Sequence, residues 1–269
     1  KKDRSVVAIT SGTPSVIGFT PERRQQAGRQ FVDVGIAEEH AVALASGIAA
    51  GGGKPVYGVY SSFIQRTYDQ LSQDLCINNN PATIVVFMGT IAGMNDETHL
   101  GFFDIPLICN IPNMVYLAPT CKEEYFAMLK WSIHQNKYPV AIRVPGASVV
   151  SDNQTYDTDY SDLNHYKLVR KGEKVAILGL GAFYSLGEAV AKRLKEETGI
   201  EATLINPRYI TGLDVAMLED LKQSHSLVIT LEDGEIDGGF GEKIARFYGD
   251  SDMKVLTYGV RKEFADRYI

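Results

Sequence analysis

Residues 31–40 place two carboxylates and a histidine at the start of a predicted helix. The first three residues of this segment are typical of a strand, Gly35 permits a tight turn, and Glu38, Glu39 and His40 begin a helical pattern. A helix dipole favours a carboxylate in the first turn by about 0.3–1 kcal/mol. Two interpretations therefore stay open: Glu38 is a helix-starting charge, or it belongs to a ligand site at the C-terminal end of a parallel strand.

Two further segments carry aromatic, charged and amide side chains whose roles the residues alone leave open. Tyr60 ends an apolar strand pattern, and Phe63 and Arg66 follow it. Asn95 and His99 lie in a polar, glycine-containing loop, where binding and catalytic residues concentrate. The alternatives are a core phenylalanine at 63, a backbone-bonded loop histidine at 99 and a salt-bridged helix residue at 66.

Strand and helix patterns alternate along the chain. The strands are short apolar runs without alternation, as expected for a parallel sheet buried on both faces. We predict strands at residues 6–9, 55–60, 83–87, 140–143, 175–178, 202–205, 226–231 and 254–257, and helices at 38–50, 63–78, 122–135 and 185–197. This order favours an α/β fold in which helices flank each mostly parallel sheet.

One polar, turn-rich stretch interrupts this alternation. Residues 146–165 are rich in Asp, Ser and Asn and lack an apolar run, which is typical of a linker. We therefore predict two α/β domains, at residues 1–150 and 166–269, with residues 151–165 as the linker.

Composition and charge exclude several classes of protein. The net charge of −6 and the absence of a basic block argue against a nucleic-acid surface. No apolar run reaches the roughly 18 residues of a membrane span, and no secretory signal precedes the first strand. Cys76, Cys109 and Cys121 are widely spaced and form no CxxC motif, so we expect buried thiols in a cytoplasmic protein rather than disulfides or zinc ligands.

These segments, in this order and at these separations, resemble the pyrimidine-binding domain of the transketolase superfamily. The segments are residues 31–40, 59–70, 93–104 and 111–115, and residues 206–214 and 232–241 are similar to the C-terminal domain of that superfamily. The resemblance runs over nearly the whole chain. Within the superfamily it is strongest to the branch that decarboxylates pyruvate and condenses it with glyceraldehyde 3-phosphate.

The resemblance implies thiamine diphosphate as cofactor and assigns roles to specific residues. Glu38 would hydrogen-bond N1′ of the cofactor's aminopyrimidine, and Tyr60 and Phe63 would pack against or near that ring. His99 and His40 would be active-site histidines. Arg66 and Asn95 would lie close to the substrate.

The resemblance also implies a partner. Enzymes of this superfamily hold Mg²⁺ and the diphosphate with a Gly-Asp-Gly motif on a separate N-terminal domain, and no Gly-Asp-Gly occurs here. The chain begins Lys1-Lys2, without methionine. We therefore expect a fragment or the C-terminal subunit of a split enzyme, with no metal ligand in this chain and a homodimer as the assembly.

The acceptor side departs from the phosphosugar-handling members. Two arginines that bind the substrate phosphate in those members are missing here, one at the segment containing Met88 and one after Pro145; Arg143 and Arg66 are the remaining candidates. Asn95 replaces an aspartate. We therefore expect an altered acceptor-phosphate site. The alternatives are a split transketolase or related subunit, and a non-catalytic assembly module.

Overall fold

The computed structural model describes residues 3–91, 97–145 and 149–264. The first sheet has strand order β2-β1-β3-β4-β6-β5 with parallel pairing throughout. Its strands are β1 (Val6–Thr10), β2 (Phe31–Asp33), β3 (Lys54–Tyr60), β4 (Thr83–Phe87), β5 (Val115–Leu117) and β6 (Val140–Val144). The accompanying helices are α1 (Pro21–Ala27), α2 (Glu38–Ala50), α3 (Asp104–Ile108) and α4 (Lys122–His134).

The second sheet has strand order β11-β10-β8-β9-β7, and only its edge strand β7 is antiparallel to its neighbour. Its strands are β7 (Lys167–Arg170), β8 (Lys174–Gly179), β9 (Thr203–Asn206), β10 (His225–Glu235) and β11 (Lys254–Val260). Its helices are α5 (Tyr184–Thr198), α6 (Val215–Leu221) and α7 (Phe240–Phe247). The predicted fold class, two mostly parallel sheets flanked by helices, is confirmed.

The central strands of both sheets are buried on both faces. Every residue of β6 is buried, as are all but the last of β4 and all but the first of β8. This explains why their sequences are continuous apolar runs rather than alternating ones. The one charged residue in β6, Arg143, is also buried.

The segment predicted as a helix at residues 63–78 is helical but not a regular α-helix. A 3₁₀ turn (Ile64–Thr67) is followed by a π-helical stretch (Gln70–Cys76), in which the Ile77 amide donates to the Ser72 carbonyl. The wider turn buries Leu71 and Leu75. Apolar spacing alone does not distinguish these helix types, and π-helical turns occur frequently at functional sites.

The two sheets are joined by backbone contacts as well as by the chain. The Ala118 amide donates to the Arg208 carbonyl at 2.8 Å, and the Ile210 amide donates to the Tyr116 carbonyl at 2.7 Å. Between β6 and β7, the described residues 149–166 contain no helix or strand, yet Tyr160 is buried there against Trp131. The predicted domain boundaries, with a linker at residues 151–165, stay a prediction.

Within the described ranges, no helix combines the length and the apolar character needed to cross a membrane.

Candidate active site

The C-terminal end of β2 lies next to the start of α2, which carries Glu38. The Asp33 carboxylate, at the end of β2, accepts hydrogen bonds from the amides of Gly12 (2.9 Å) and Gly35 (3.0 Å). Both glycines have positive φ angles, of 76° and 72°, which glycine adopts without strain. These turns bring the N-terminus of α2 to the C-terminal edge of the sheet, where parallel α/β sheets bind ligands.

Glu38 is buried at this edge, with 2% of its surface exposed. Its Oε2 accepts a hydrogen bond from Arg66 Nη1 at 3.3 Å, and Arg66 Nε pairs with Glu39 Oε1 at 3.2 Å. Its other oxygen, Oε1, accepts no hydrogen bond from the part of the chain that the structure describes. A carboxylate oxygen of a buried residue that has no protein donor is available to a ligand N–H.

Beside Glu38, three rings from two segments form one aromatic group. Phe63 lies edge-on to Tyr60 and to His99, with ring centroids 5.0 Å and 5.3 Å apart, and the Tyr60 and His99 centroids are 6.2 Å apart. His99 Nδ1 lies 2.8 Å from Thr98 Oγ1. Burial raises the pKa of Tyr60, so its hydroxyl stays neutral. The structure thus brings five residues that the sequence analysis selected into two contacting sets: Glu38 with Arg66, and Phe63 with Tyr60 and His99.

Tyr57 forms the buried wall of this region. Its hydroxyl lies 2.9 Å from Ser11 Oγ, and the side chain has no exposed surface. Burial first, and then the negative charges of Glu38 and Glu39, raise the pKa of Tyr57. The complete burial of Tyr57 indicates that this wall is shielded from solvent, where electrostatic interactions are stronger than in water.

Two predicted site residues are not placed in this group. His40 follows Glu38 by two positions on α2, which turns its side chain away from the buried face, and it is exposed. Among the described residues, no hydrogen bond or ring contact joins it to Tyr60, Phe63 or His99. Asn95 lies outside the described residues, and its assignment stays a prediction.

Sequence analysis missed a buried charge cluster behind the histidine segment. Arg143 is 4% exposed and donates from Nε to Asp104 at 2.8 Å and from Nη1 to Asp233. Asp104 also accepts from the hydroxyl of Tyr116. Burial alone would lower the pKa of Arg143, but the charges of Asp104 and Asp233 outweigh it and raise this pKa. The signal was present in the sequence, since a lone charge in a buried strand requires buried partners.

One group of possible metal ligands lies among the described residues, on other elements. Cys121 Sγ and the carboxylates of Glu123 and Asp152 approach within 4.8 Å of one another. Both carboxylates already accept hydrogen bonds, Glu123 from Ser151 Oγ and Asp152 from the Tyr156 hydroxyl. This arrangement is explained by capping of α4 and needs no ion.

Comparison with known proteins agrees with this geometry. Residues 1–149 match the transketolase pyrimidine-binding domain, and residues 164–262 match the transketolase C-terminal domain. The chain belongs to the transketolase family. The predicted resemblance is confirmed, and the site described above lies in the pyrimidine-binding domain of this transketolase-family chain.

Curated relatives agree with the predicted branch. The 1-deoxy-D-xylulose-5-phosphate synthase of Clostridium perfringens (strain SM101 / Type A) is 37% identical over 268 residues, which cover 99% of this chain and 43% of the relative. The synthase of Pseudoalteromonas translucida is 36% identical over 266 residues, covering 98% and 42%. The chain therefore spans less than half the length of these relatives.

Solved structures share the fold. A chain described as a split-gene transketolase, inactive beta4 tetramer, superposes with a TM-score of 0.82 at 21% identity, covering 98% of this chain and 85% of that one. A transketolase mutant from Pichia stipitis in complex with fructose 6-phosphate gives a TM-score of 0.74 at 15% identity, covering 98% and 39%. At these identities the likeness extends to the fold alone.

Proposed function

We propose that this chain is the pyrimidine-binding and C-terminal part of a thiamine-diphosphate-dependent two-carbon transferase, similar to 1-deoxy-D-xylulose-5-phosphate synthase. One observation carries the proposal. The buried carboxylate of Glu38 keeps one oxygen without a described donor at the same strand edge as the rings of Tyr60, Phe63 and His99. This combination suits a flat heteroaromatic ligand with a ring nitrogen that exchanges a proton.

The residues present fit the aminopyrimidine of thiamine diphosphate. Glu38 Oε1 would hold the proton at N1′, and the burial of the Glu38 side chain would limit the competition of water for that hydrogen bond. Phe63 and Tyr60 would bound the ring and exclude water. His99, edge-on to Phe63, would hold or move a proton at the substrate oxygen. When bound, the cofactor would supply a thiazolium ring that acts as an electron sink for the two-carbon unit.

The chain requires a partner for this activity. Because it spans 43% of its curated relative, we propose that an N-terminal domain or subunit holds the diphosphate and Mg²⁺. The Glu38 face would be the surface that meets it, with two such units forming a homodimer. Sedimentation of the chain with and without that partner tests the assembly: a chain that binds no partner and stays monomeric at high concentration would exclude it.

We further propose that the acceptor is not a tightly held phosphosugar. Of the two candidate cations, Arg143 is enclosed by Asp104 and Asp233, and Arg66 is paired with Glu38 and Glu39. A hydrogen bond to a charged group contributes roughly 1.5–3 kcal/mol. Losing two such contacts weakens phosphate binding by about several hundredfold. An unphosphorylated aldehyde is then the better match for the groups that this chain contributes.

A second candidate is the C-terminal subunit of a split transketolase. It is supported by the fold, because the split-gene transketolase superposes on 98% of this chain with a TM-score of 0.82. The two candidate functions differ in the substrate that donates the two-carbon unit. The synthase reaction releases CO₂ from pyruvate, whereas a transketolase transfers the two-carbon unit of a ketose without releasing CO₂.

The experiment combines this chain with the product of the upstream coding sequence, thiamine diphosphate and Mg²⁺. Release of CO₂ from pyruvate that is dependent on an added aldehyde supports the synthase-like function. Transfer from a ketose without CO₂ release supports the transketolase. A complex that binds no thiamine diphosphate and turns over neither donor contradicts both and leaves the non-catalytic assembly module.

A further inference from the structure

Arg143 joins three parts of the molecule through one guanidinium group. From β6 it reaches Asp104, at the start of α3, and both the carboxylate and the carbonyl of Asp233, in β10 of the second sheet. Its Nη2 also donates to the carbonyl of Gly101 at 3.2 Å. The side chain is 4% exposed, so solvent does not compete for these bonds.

The segment that Arg143 holds is the one that carries His99. Gly101 and Asp104, which follow the histidine by two and five residues, are both ligands of the guanidinium. Between them, the Phe102 carbonyl accepts from the Glu235 amide of β10 at 2.9 Å. The histidine segment is therefore attached to the second sheet at successive positions, directly through Phe102 and indirectly through Arg143.

The histidine segment also packs closely against the residues next to the aromatic group. A Cβ added to Gly101 would lie 2.0 Å from the Met88 carbonyl oxygen and 2.5 Å from Ser61 Cβ. Ser61 directly follows Tyr60, whose ring contacts Phe63 and His99. Because the backbone at Gly101 has no room to shift toward β3, its position fixes where the histidine segment leaves the sheet.

The absence of a side chain at Gly89 leaves the space that the Arg143 side chain occupies. A Cβ on Gly89 would lie 2.7 Å from Arg143 Cγ and 3.0 Å from Nε. Asp104 and Asp233 have no exposed side-chain surface, and two buried carboxylates without a cation between them would repel each other. The guanidinium, with its fixed fork of donors, pairs with both carboxylates while reaching two carbonyls.

We infer that Arg143 is a positioning residue, through which the C-terminal domain sets the placement of His99 relative to Tyr60 and Phe63. The inference rests on the proposed function for the role of His99, and not for the attachment itself. It assigns the C-terminal domain a part in the active site, although that domain contributes no side chain to the aromatic group described above. A lysine at 143 keeps the charge but cannot bridge all four acceptors.

The attachment is tested on the chain itself by hydrogen exchange read by mass spectrometry. Arg143→Lys is expected to accelerate amide exchange in residues 97–104 by about tenfold or more, with other core strands unchanged. The matched control is Glu124→Gln, because Glu124 is equally buried and accepts from Asn206 Nδ2 across the same pair of domains at 3.0 Å. Exchange that is unchanged at 97–104, or that rises throughout the chain as in a general destabilisation, overturns the inference.

The positioning role is tested by a double-mutant cycle in the complete, partner-bound enzyme. Arg143→Lys is expected to lower kcat/KM for the acceptor by about tenfold in the wild-type background and by less than about twofold when His99→Asn is already present. Equal losses in both backgrounds overturn the inference. If Arg143→Lys does not fold, Asp233→Asn, which retains an acceptor oxygen, replaces it in both experiments. An inactive wild-type complex would contradict the proposed function while leaving the exchange result to decide the attachment.

Discussion

The guanidinium of Arg66 lies 3.3 Å from the buried carboxylate of Glu38, and it occupies one carboxylate oxygen while leaving the other for a ligand. The same guanidinium pairs with Glu39. Arg66 is half-exposed, so its contribution to stability is small, as for other exposed ion pairs. We expect its geometric contribution to be larger, because its hydrogen bond to one oxygen favours one rotation of the Glu38 carboxylate.

Replacing Arg66 by Met is therefore expected to separate activity from stability. We expect turnover of the complete enzyme to fall by about tenfold because Glu38 loses its orientation, while the free energy of unfolding changes by less than about 1 kcal/mol. Steady-state kinetics and urea denaturation measure the two effects. The control is Lys54→Met, which removes the comparable Lys54–Asp3 pair of 2.8 Å at the opposite end of β3. Normal turnover in Arg66→Met would show that Glu38 is oriented by other contacts.

Phe63 is expected to contribute to cofactor affinity through its ring. Phe63→Ala should weaken thiamine diphosphate binding by about tenfold, the equivalent of the aromatic contact beyond area burial. Titration of cofactor into the partner-bound enzyme, followed by calorimetry, measures this affinity. Phe19→Ala is the matched control, because Phe19 stacks on Phe31 at 4.7 Å in the same sheet layer. Equal affinities for the wild type and Phe63→Ala would remove Phe63 from the site.

The expected preference between phosphorylated and unphosphorylated acceptor aldehydes follows from the ion pairs that Arg66 and Arg143 already form. With pyruvate as donor, we expect glyceraldehyde 3-phosphate to have a KM within about tenfold of that of unphosphorylated glyceraldehyde, because Arg66 and Arg143 already pair with carboxylates. The comparison uses one enzyme preparation and both aldehydes. A micromolar KM for the phosphosugar, with little turnover of the unphosphorylated aldehyde, would show that the phosphate is held by other groups.

A buried carboxylate in β10 makes stability depend on pH. Burial raises the pKa of Glu232 from 4.5 to about 7, against the opposing hydrogen bonds from the Gly241 and Phe240 amides and the charge of Arg143. Because the folded pKa exceeds the unfolded one, the stabilisation from this group is present below about pH 4.5 and is lost as the pH rises through about 7. Between these two pH values, the Glu232 carboxyl group binds a proton more strongly in the folded protein than in the unfolded protein.

Glu232→Gln should remove this dependence. Between about pH 5 and about pH 8, we expect the wild type to lose on the order of 2 kcal/mol of unfolding free energy relative to Glu232→Gln. Urea denaturation at several pH values measures it. Glu242→Gln is the control, because Glu242 is exposed and bonds the Gly238 amide in the same turn. Parallel pH profiles for the wild type and Glu232→Gln would show that Glu232 ionises as an ordinary carboxyl group.

Much of this structure could be predicted from local patterns. The strand at Thr83–Phe87 and the helix at Glu38–Ala50 lie where the sequence analysis placed them, because continuous β-branched runs and alanine-rich helical spacing each have one low-energy backbone conformation. Glu38, Phe63 and His99 were selected by resemblance, and the fold brings Phe63 and His99 into contact. Their roles still rest on the proposed function.

What could not be predicted depends on contacts that are distant in sequence. The π-helical turn at Gln70–Cys76 shares its apolar pattern with an ordinary helix, and the short strands β5 and β7 were not predicted. Arg143 was considered for the substrate phosphate, whereas it is enclosed by Asp104 and by Asp233 of the second sheet. Only the packing of the two domains shows where that charge is neutralised.

Turnover of the Glu38→Gln enzyme tests the central claim most directly. In the complete enzyme with pyruvate, thiamine diphosphate and Mg²⁺, we expect Glu38→Gln to lower the rate of CO₂ release by about a hundredfold or more, with cofactor affinity changed by only a few fold. Glutamine keeps the shape of the side chain but cannot hold the proton at N1′. Glu39→Gln, which alters the neighbouring, half-buried carboxylate, should remain within about twofold of the wild type. Near-normal CO₂ release by Glu38→Gln, measured beside an active wild type, would contradict the account.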